Sequence, residues 1–327
     1  MTDSHPFAAL SPDVIMDAVE SVGFRPDARI QELNSYENRV VQIGIEDSTP
    51  VIGKFYRAER WTDEQILEEH DFTLELAELE LSVVPPLLID DSTLHEHADF
   101  RFAVYPQQGG RAPAIDDVGC LKIIARSIAR IHACGSRQGF IDRPHFTITE
   151  FGHDARDFLL DEGFIPPGLL EAYSTVSAQL LDELETHFSR VSYHSIRLHG
   201  DCHMGNVLWR NEIPHFVDFD DARNGPAVQD LWMLLSGDRE MMSIQLDAIL
   251  RAYTGFCEFD YATIPLIEPL RALRMLYHTA WIARRWHDPA FPRAFPFFAA
   301  ERYWSDHILE LREQTAMLYE PPLAVSF

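Results

Sequence analysis

The sequence has little cysteine and no long hydrophobic run. Its four cysteines, at positions 120, 134, 202 and 257, lie far apart and form no CxxC pair, which argues against a zinc knuckle or a disulfide framework. No stretch reaches the roughly 18 apolar residues of a membrane helix. The opening MTDSHPFAALSPDVI lacks the basic and apolar regions of a secretory signal. We therefore expect a soluble, cytoplasmic protein with reduced thiols and no membrane partner.

Basic residues are also scarce. The chain has 27 lysines and arginines against 52 aspartates and glutamates, a formal net charge of −25 at pH 7. Because affinity for nucleic acid rests on cations that neutralise phosphates, we expect no nucleic-acid partner. A cationic substrate is compatible with this charge. No internal repeat is visible, and a length of 327 residues predicts about two globular domains.

The first hundred residues predict a small sheet with helices. SPDVIMDAVESVG predicts a short helix with Ser11 as its N-cap and Pro12 at its first position. DEQILEEHDFTLELAELE predicts a charged helix, and four stretches predict strands: NRVVQIGIE, TPVIGKFYR, PPLLID and FRFAVYP. The following YPQQGG is typical of a hinge, and mostly helical patterns come after it. We therefore predict an α+β fold with a small sheet-plus-helix N-lobe (1–106) and a larger, mainly helical C-lobe (107–327).

The motif RLHGDCHMGNVLW is the most polar stretch of the C-lobe. Its last residues and the segment IPHFVDF predict two short strands of a hairpin. Asn206 stands where the first strand begins and Asp218 where the second ends, so a tight hairpin brings both side chains together, with Asp201 beside them. Amide and carboxylate oxygens of this kind suit Mg²⁺, which prefers a few protein oxygens, substrate phosphates and water.

The spacing HGDxxxxN followed by VDF is the outline of a kinase site. In such a site an Asp accepts the proton of the acceptor hydroxyl, while an Asn and a second Asp hold the metal on the nucleotide phosphates. The same interpretation predicts a lysine on an N-lobe strand and a glutamate on the next helix. Lys54 in VIGK and Glu69 in ILEEH fit these positions, with Glu68 as the alternative partner. No glycine-rich phosphate loop is present, although LNSYENRV could supply a turn whose N–H groups meet phosphate.

Taken together, these segments resemble the aminoglycoside phosphotransferase and choline kinase superfamily, and within it the bacterial stress response kinase A group. The similar segments are LNSYENRV, KFYRAERWTDEQILEEH, LHGDCHMGN, VDFDDARNGPAVQDLWMLL, IEPLRALRM and ARRWHDPAFP. The resemblance implies a bilobal protein-kinase-like fold. It also implies a cytoplasmic, monomeric enzyme that uses ATP and Mg²⁺ to phosphorylate serine and threonine hydroxyls of proteins in a stress response.

The resemblance also implies a role for each candidate residue. Asp201 is the proton acceptor, and Asn206 and Asp218 bind Mg²⁺, so that Asp201 and Asp218 are the catalytic carboxylates. Lys54 is the phosphate-binding lysine, oriented by Glu69. A further residue of the nucleotide site is the serine at position 35, Ser35, which the resemblance places at the ATP phosphates.

Two positions depart from the protein-kinase pattern. Gly200 stands in place of the arginine of HRD, and Asp220 in place of the glycine of DFG. Without that arginine, control by activation-loop phosphorylation is not expected, and the segment after Asp218 is short for docking a peptide. Two alternatives therefore stay open: transfer to a small alcohol or amino alcohol, including an aminoglycoside-like one, and a nucleotide-binding signalling module without turnover.

Four further features have structural rather than catalytic interpretations. We expect His199 to brace the loop through hydrogen bonds and Asp230 to act as a cap or loop anchor. Cys202 is expected to be inert unless its thiol is exposed to oxidants. The aromatic stretch RRWHDPAFPRAFPFF predicts a segment packed over the surface.

Overall fold

The computed structural model describes residues 5–114 and 117–326. The first four residues of the N-terminal segment, and Asp116 at the start of one predicted helical stretch, lie outside this part. The described chain forms a small lobe with an antiparallel sheet and a larger lobe of helices, as predicted. None of the described helices combines the length and the apolar character that a membrane crossing needs.

The N-lobe contains a five-stranded antiparallel sheet in the order β1-β2-β3-β5-β4. Helix α1 begins behind its predicted cap, because the Ser11 hydroxyl accepts the N–H of Val14, and α2 begins with a capping box between Thr62 and Gln65. The elements are α1 (Pro12–Ser21), β1 (Pro26–Glu32), β2 (Arg39–Ile45), β3 (Val51–Phe55), α2 (Asp63–Glu78), β4 (His95–His97) and β5 (Phe100–Pro106). The domain boundary near residue 106 stays a prediction.

One strand prediction is wrong, and one strand was not predicted. PPLLID forms no strand, because its two prolines lack an N–H; Leu87 alone bonds to the sheet, through Val104 O at 2.7 Å. The fourth strand of the chain is instead His95–His97. The edge strand β1 has the sequence PDARIQE, which is too polar for a hydrophobic pattern to reveal.

The two faces of this sheet have different roles. Phe55, Phe102 and Val104 lie on the face that packs against α1, in a core that includes Val19 and Ile43. Lys54 points to the other face, since successive residues of a strand alternate. Its direct partners in the register, Val40 and Ala103, share that face. The sheet therefore presents Lys54 toward the C-lobe.

The C-lobe packs helices around one large apolar core. Two small antiparallel pairs, β6-β9 and β7-β8, lie beside it. The segment AVQDLWMLLSG forms a shorter helix than predicted. The elements are α3 (Val118–Gly135), α4 (Asp154–Asp161), α5 (Leu170–Ser189), β6 (Ser195–Leu198), β7 (Val207–Arg210), β8 (Ile213–Phe216), β9 (Arg223–Pro226), α6 (Val228–Trp232), α7 (Arg239–Tyr253), α8 (Ile267–Arg284), α9 (Ala290–Ala294) and α10 (Glu301–Met317).

Candidate active site

The predicted hairpin is present and brings three of the candidate residues together. Strands β7 and β8 pair from Val207 with Phe216 onward. At the open end of the hairpin, the Val217 N–H donates to the Asn206 carbonyl oxygen at 3.0 Å. The Asn206 side-chain nitrogen donates to the Asp201 carbonyl oxygen at 2.9 Å. Asn206, Asp218 and Asp201 therefore stand at one end of the hairpin.

The loop of residues 199–206, here called the catalytic loop, is anchored by one buried carboxylate. Asp230 is fully buried and accepts the N–H groups of His199 at 2.8 Å and Gly200 at 2.9 Å. His132 Nε2 lies 3.0 Å from the same carboxylate. Asp230 is thus the loop anchor that the sequence analysis expected. The two hydrogen bonds from His199 and Gly200 hold the start of the loop, two residues and one residue before Asp201, and His132 holds Asp230 itself.

The departure at Gly200 has a steric cause. Gly200 has a φ of 86°, in the left-handed region that glycine adopts without strain. A Cβ at this position would collide with the carbonyl oxygen of Asp221. An arginine therefore does not fit this backbone.

Asp201 carries an ion pair that the sequence analysis missed. Arg274, on α8, places Nη1 2.7 Å from Asp201 Oδ1, and His203 Nε2 lies 3.5 Å from Oδ2. Burial alone would raise the pKa of Asp201, but the charge of Arg274 and the contact with His203 together outweigh it and hold this pKa well below the usual range. Asp201 is therefore ionised and able to accept a proton. The available signal was an arginine within the helical pattern of IEPLRALRM.

Lys54 meets the C-lobe through two carboxylates. Its Nζ lies 3.2 Å from Asp218 Oδ1 and 3.1 Å from Asp220 Oδ1. Burial favours the neutral amine, but these two charges outweigh it and raise the pKa of Lys54 well above its ordinary value. Asp218 remains half-exposed, whereas Asp220 is buried. The structure therefore places Lys54 and Asp218 at one point between the lobes.

Asp220, which departs from the glycine of the DFG pattern, is buried and binds three side chains. It forms ion pairs with Lys54 and Arg60 and accepts the Asn38 side-chain N–H at 3.1 Å. Burial opposes its ionisation, but the neighbouring Arg60 and Lys54 lower the pKa of Asp220. A glycine at this position would leave both cations without this partner. No sequence signal identified Asp220, because its partners lie far away in the chain.

The two candidate glutamates on α2 face different neighbours. The carboxylate of Glu68 accepts the backbone N–H groups of Ile141, Asp142 and Arg143, the last two at 2.9 and 2.8 Å. Glu69 is buried, and its charge acts on Lys54 although the described residues show no ion pair between the two; its Oε2 has no hydrogen-bond partner among them. Burial raises the pKa of Glu69, although the charge of Lys54 opposes that effect. The geometry therefore favours Glu69 over Glu68 as the carboxylate that acts on Lys54.

Ser35 lies in the loop between β1 and β2, where its hydroxyl stabilises the turn. Ser35 Oγ donates to the Asn38 carbonyl oxygen at 3.1 Å. The residue also lines a cavity of about 460 Å³, together with Phe7, Arg39 and Ala290. The hydroxyl is engaged within its own loop, and the place of Ser35 at the ATP phosphates, which the resemblance implies, stays a prediction.

The donor set near Asp218 fits a hard cation that keeps other ligands. The described residues contain no group of three His, Cys, Asp or Glu side chains that could hold a metal. Asn206 uses its side-chain nitrogen on Asp201, so its amide oxygen is the atom left for a ligand. One amide oxygen and one half-exposed carboxylate suit Mg²⁺ completed by phosphate and water. Together, Asn206 and Asp218 fit this role.

His199 and Cys202 have structural surroundings. His199 is buried, and its Nε2 lies 3.0 Å from the Val217 carbonyl oxygen, which joins the catalytic loop to the end of the hairpin. Cys202 is also buried, and burial raises the pKa of its thiol well above the ordinary value. The bracing role expected for His199 is present, and a buried, protonated thiol makes Cys202 inert.

Comparison with known proteins identifies the family. The phosphotransferase enzyme family matches residues 29–273. The chain belongs to this family. Stress response kinase A of Escherichia coli (strain K12) is 47% identical over 320 residues, which cover 98% of this chain and 97% of that protein. A protein of Salmonella typhimurium (strain LT2), named serine/threonine protein kinase RdoA, is 44% identical over the same shares. The chain is therefore a phosphotransferase of the stress response kinase A group.

Solved structures confirm the predicted fold class. An amicoumacin kinase in complex with AMP-PNP, Ca²⁺ and Ami superposes with a TM-score of 0.74 at 18% identity, over 95% of each chain. A microcompartment-associated aminopropanol kinase superposes with a TM-score of 0.68 at 18% identity, over 92% of this chain and all of the other. At such identities the likeness shows the bilobal, kinase-like fold.

Proposed function

We propose that this family member is an ATP- and Mg²⁺-dependent kinase that phosphorylates serine and threonine hydroxyls of proteins in a stress response. One observation carries the proposal. An ionised Asp201 is bonded to Asn206 at the end of the hairpin that carries Asp218, and Asp218 lies 3.2 Å from the buried Lys54 of the other lobe. Phosphoryl transfer asks mainly for such positioned charges.

The reaction assigns a task to each side chain. The acceptor hydroxyl oxygen attacks the γ-phosphorus, its proton passes to Asp201, and the bond to the β-phosphate oxygen breaks as ADP leaves. The buried Lys54 holds the α- and β-phosphates, with Glu69 behind it. Asn206 and Asp218 hold Mg²⁺, which when bound neutralises phosphate charge.

The protein acceptor rests on the close relatives. Relatives at 44–47% identity span nearly the whole chain, and one of them is named a serine/threonine protein kinase. Coverage of 97% of those proteins leaves no large region of theirs without a counterpart here. From the resemblance of its motifs to this group, we also propose a cytoplasmic, monomeric enzyme.

A small-molecule acceptor is the second candidate, and two observations favour it. Structural neighbours include an amicoumacin kinase and an aminopropanol kinase, and the net charge of −25 suits a cationic substrate. Arg274 weakens this second argument, because its charge 2.7 Å from Asp201 offsets the carboxylate charge that a cationic acceptor would meet beside its hydroxyl.

A labelled-phosphate assay separates the candidates. Wild-type protein and Asp201→Asn are incubated with γ-labelled ATP and Mg²⁺, once with cell proteins of the source organism and once with a panel of amino alcohols and aminoglycosides. We expect label on serine or threonine of proteins with the wild type alone. Faster turnover on a small alcohol than on every protein would replace the protein acceptor. Label that persists with Asp201→Asn would contradict the site itself.

A metal titration tests the second part of the proposal. Replacing Asp218 by Asn removes the half-exposed carboxylate assigned to Mg²⁺, so the Mg²⁺ concentration for half-maximal activity should rise by about tenfold or more. Asp221→Asn is a control, because Asp221 pairs with Arg60 and Arg223. An unchanged Mg²⁺ requirement in Asp218→Asn would remove that residue from the metal site.

A further inference from the structure

The loop of residues 33–38, here called the phosphate loop, contains no glycine. A loop without glycine needs another source of defined geometry. Five charged side chains lie in this loop or against it and are here called the charged clamp: Glu37, Arg39, Arg57, Arg285 and Asp288. Three come from the N-lobe, whereas Arg285 and Asp288 come from the aromatic-rich segment after α8.

Asp288 is the buried centre of the clamp. Its side chain is fully buried and accepts Arg39 Nη2 at 2.9 and 3.0 Å and Arg57 Nη2 at 2.7 Å. Arg39 begins β2 and Arg57 follows β3. A carboxylate of the C-terminal segment therefore holds the start of β2, which follows the phosphate loop, and the end of β3, which carries Lys54. Since a buried charge is costly without partners, both arginines are bound to this one position.

Glu37, within the phosphate loop, is held from both lobes. Arg57 Nε lies 3.1 Å from its carboxylate and Arg60 Nη1 lies 3.3 Å away. From α8 and its end, Trp281 Nε1 donates at 2.7 Å and Arg285 Nε lies at 2.6 Å. The loop is therefore drawn onto the C-lobe as well as onto its own sheet.

The clamp also orients the peptide groups of the loop. Arg57 Nε donates to the Glu37 carbonyl oxygen at 3.0 Å. In a trans peptide the N–H of the next residue points opposite to that carbonyl, so the N–H of Asn38 points away from Arg57. Backbone N–H groups turned outward from a tight turn are what phosphate oxygens bind.

A short path joins the clamp to the rest of the site. The Arg57 N–H donates to Asn38 Oδ1 at 3.0 Å, and Asn38 Nδ2 donates to Asp220 at 3.1 Å. Asp220 is in turn 3.1 Å from Lys54 Nζ. A shift of the phosphate loop would therefore displace Asn38 and Asp220 and, through them, change the position of Lys54.

We propose that the charged clamp sets the position of the phosphate loop, and that Asp288 and Arg285 are positioning residues of the nucleotide site. The C-terminal segment thereby replaces the glycines that this loop lacks. The inference rests on the proposed use of ATP in the cleft. It concerns how tightly the nucleotide is held, and leaves the acceptor side to other residues.

The test compares nucleotide affinity and turnover in clamp variants. Asp288→Asn keeps the shape of the side chain and removes its charge. We expect its KM for ATP, and its Kd for AMP-PNP with Mg²⁺ by titration calorimetry, to rise about tenfold, the size of one lost hydrogen bond to a charged group. The KM for the acceptor should stay unchanged and kcat should stay within about twofold.

Asp247→Asn is the matched control. Asp247 pairs with Arg251 at 2.8 Å, one turn away on the exposed face of α7. Its loss removes an aspartate–arginine pair of the same length outside the cleft, so affinity for AMP-PNP should equal that of the wild type. Surface pairs of this kind contribute about 0–1 kcal/mol to stability.

Arg285 keeps the proposal testable if Asp288→Asn does not fold. Arg285→Gln removes the charged one of the two C-lobe contacts to Glu37 and leaves the hydrogen bond from Trp281, and Arg285→Lys keeps the charge. We expect weaker AMP-PNP binding in Arg285→Gln and recovery of most of the affinity in Arg285→Lys. Folded clamp variants with wild-type affinity for AMP-PNP would overturn the proposal, even if their melting temperatures fall.

The clamp and the proposed function fail in different ways. A wild-type protein that binds no AMP-PNP would contradict the use of ATP. A wild-type protein that binds AMP-PNP, with folded clamp variants that bind it equally well, would contradict the clamp alone.

Discussion

The two loops of the cleft are held by different means. The catalytic loop is anchored within its own lobe, where Asp230 accepts the N–H groups of His199 and Gly200. The phosphate loop is held by ion pairs that reach across the lobes, with Asp288 and Arg285 on the far side. The first arrangement fixes Asp201, the proposed base, against the hairpin. The second couples the proposed nucleotide site to the position of one lobe relative to the other.

This difference separates two kinds of effect. Substitutions in the catalytic loop should lower kcat and leave nucleotide affinity unchanged, because in the proposed reaction Asp201 acts on the acceptor hydroxyl. Substitutions in the charged clamp should weaken nucleotide binding and leave kcat nearly unchanged. Each experiment below is designed to break or sharpen that contrast.

We expect Asp230→Asn to have the largest effect among these contrasts. The amide nitrogen of the new side chain must face at least one of its three donors, His199 N, Gly200 N or His132 Nε2. A shift of the loop by about 1 Å would lower kcat by about a hundredfold, with the KM for ATP within about threefold. Steady-state kinetics with ATP and acceptor varied separately measure this.

Asp117→Asn serves as the control for that variant. Asp117 also accepts two backbone N–H groups, those of Gly119 and Cys120, but at the start of α3. Its activity should match the wild type. A rise in the KM for ATP with an unchanged kcat in Asp230→Asn would remove the contrast between the loops.

A pair of α2 variants gives the next effect. Glu69→Gln removes the charge behind Lys54 and should lower kcat/KM for ATP by about tenfold. Glu68→Gln should leave kcat/KM unchanged and lower the free energy of unfolding by about 1–3 kcal/mol, because its carboxylate accepts three backbone N–H groups. Kinetics and urea unfolding on both variants measure this. The reverse pattern would make Glu68 the partner of Lys54.

Arg274→Gln should change the pH dependence more than the maximal rate. In the wild type the charge of Arg274, together with the contact to His203, outweighs burial and lowers the pKa of Asp201. Without that charge, burial raises this pKa, so the acidic limb of kcat/KM moves to higher pH. At alkaline pH the loss should be about threefold, from the lost orientation of the base. Arg274→Lys should keep the wild-type profile, and an unchanged acidic limb in Arg274→Gln would show that another group sets it.

The smallest effect is expected at Cys202. Its thiol is buried and its pKa is raised, so it should stay unmodified when the native protein is treated with an alkylating reagent. Phosphoryl transfer should be unchanged, and mass spectrometry of the digested protein identifies the modified cysteines. Cys257 is partly exposed and provides the internal comparison. Rapid modification of Cys202 with loss of activity would contradict the buried thiol.

The sequence predicted the catalytic side better than the phosphate side for a physical reason. Asp201, Asn206 and Asp218 are joined by a hairpin, so their proximity follows from local pairing and turn rules. Lys54 could be placed on a strand, and Gly200 and Asp220 could be seen as departures. The roles of Asp220, Arg274 and Asp288 depend on contacts between distant segments, which periodicity and spacing do not reveal.

Single-turnover transfer from γ-labelled ATP by the wild type and Asp201→Asn tests the central claim most directly. Bound AMP-PNP, measured in parallel, reports the nucleotide site. We predict that Asp201→Asn lowers the rate of transfer by about a thousandfold while affinity for AMP-PNP stays within about twofold, because a general base acts on the acceptor. Transfer at the wild-type rate by this variant would contradict the assignment of Asp201.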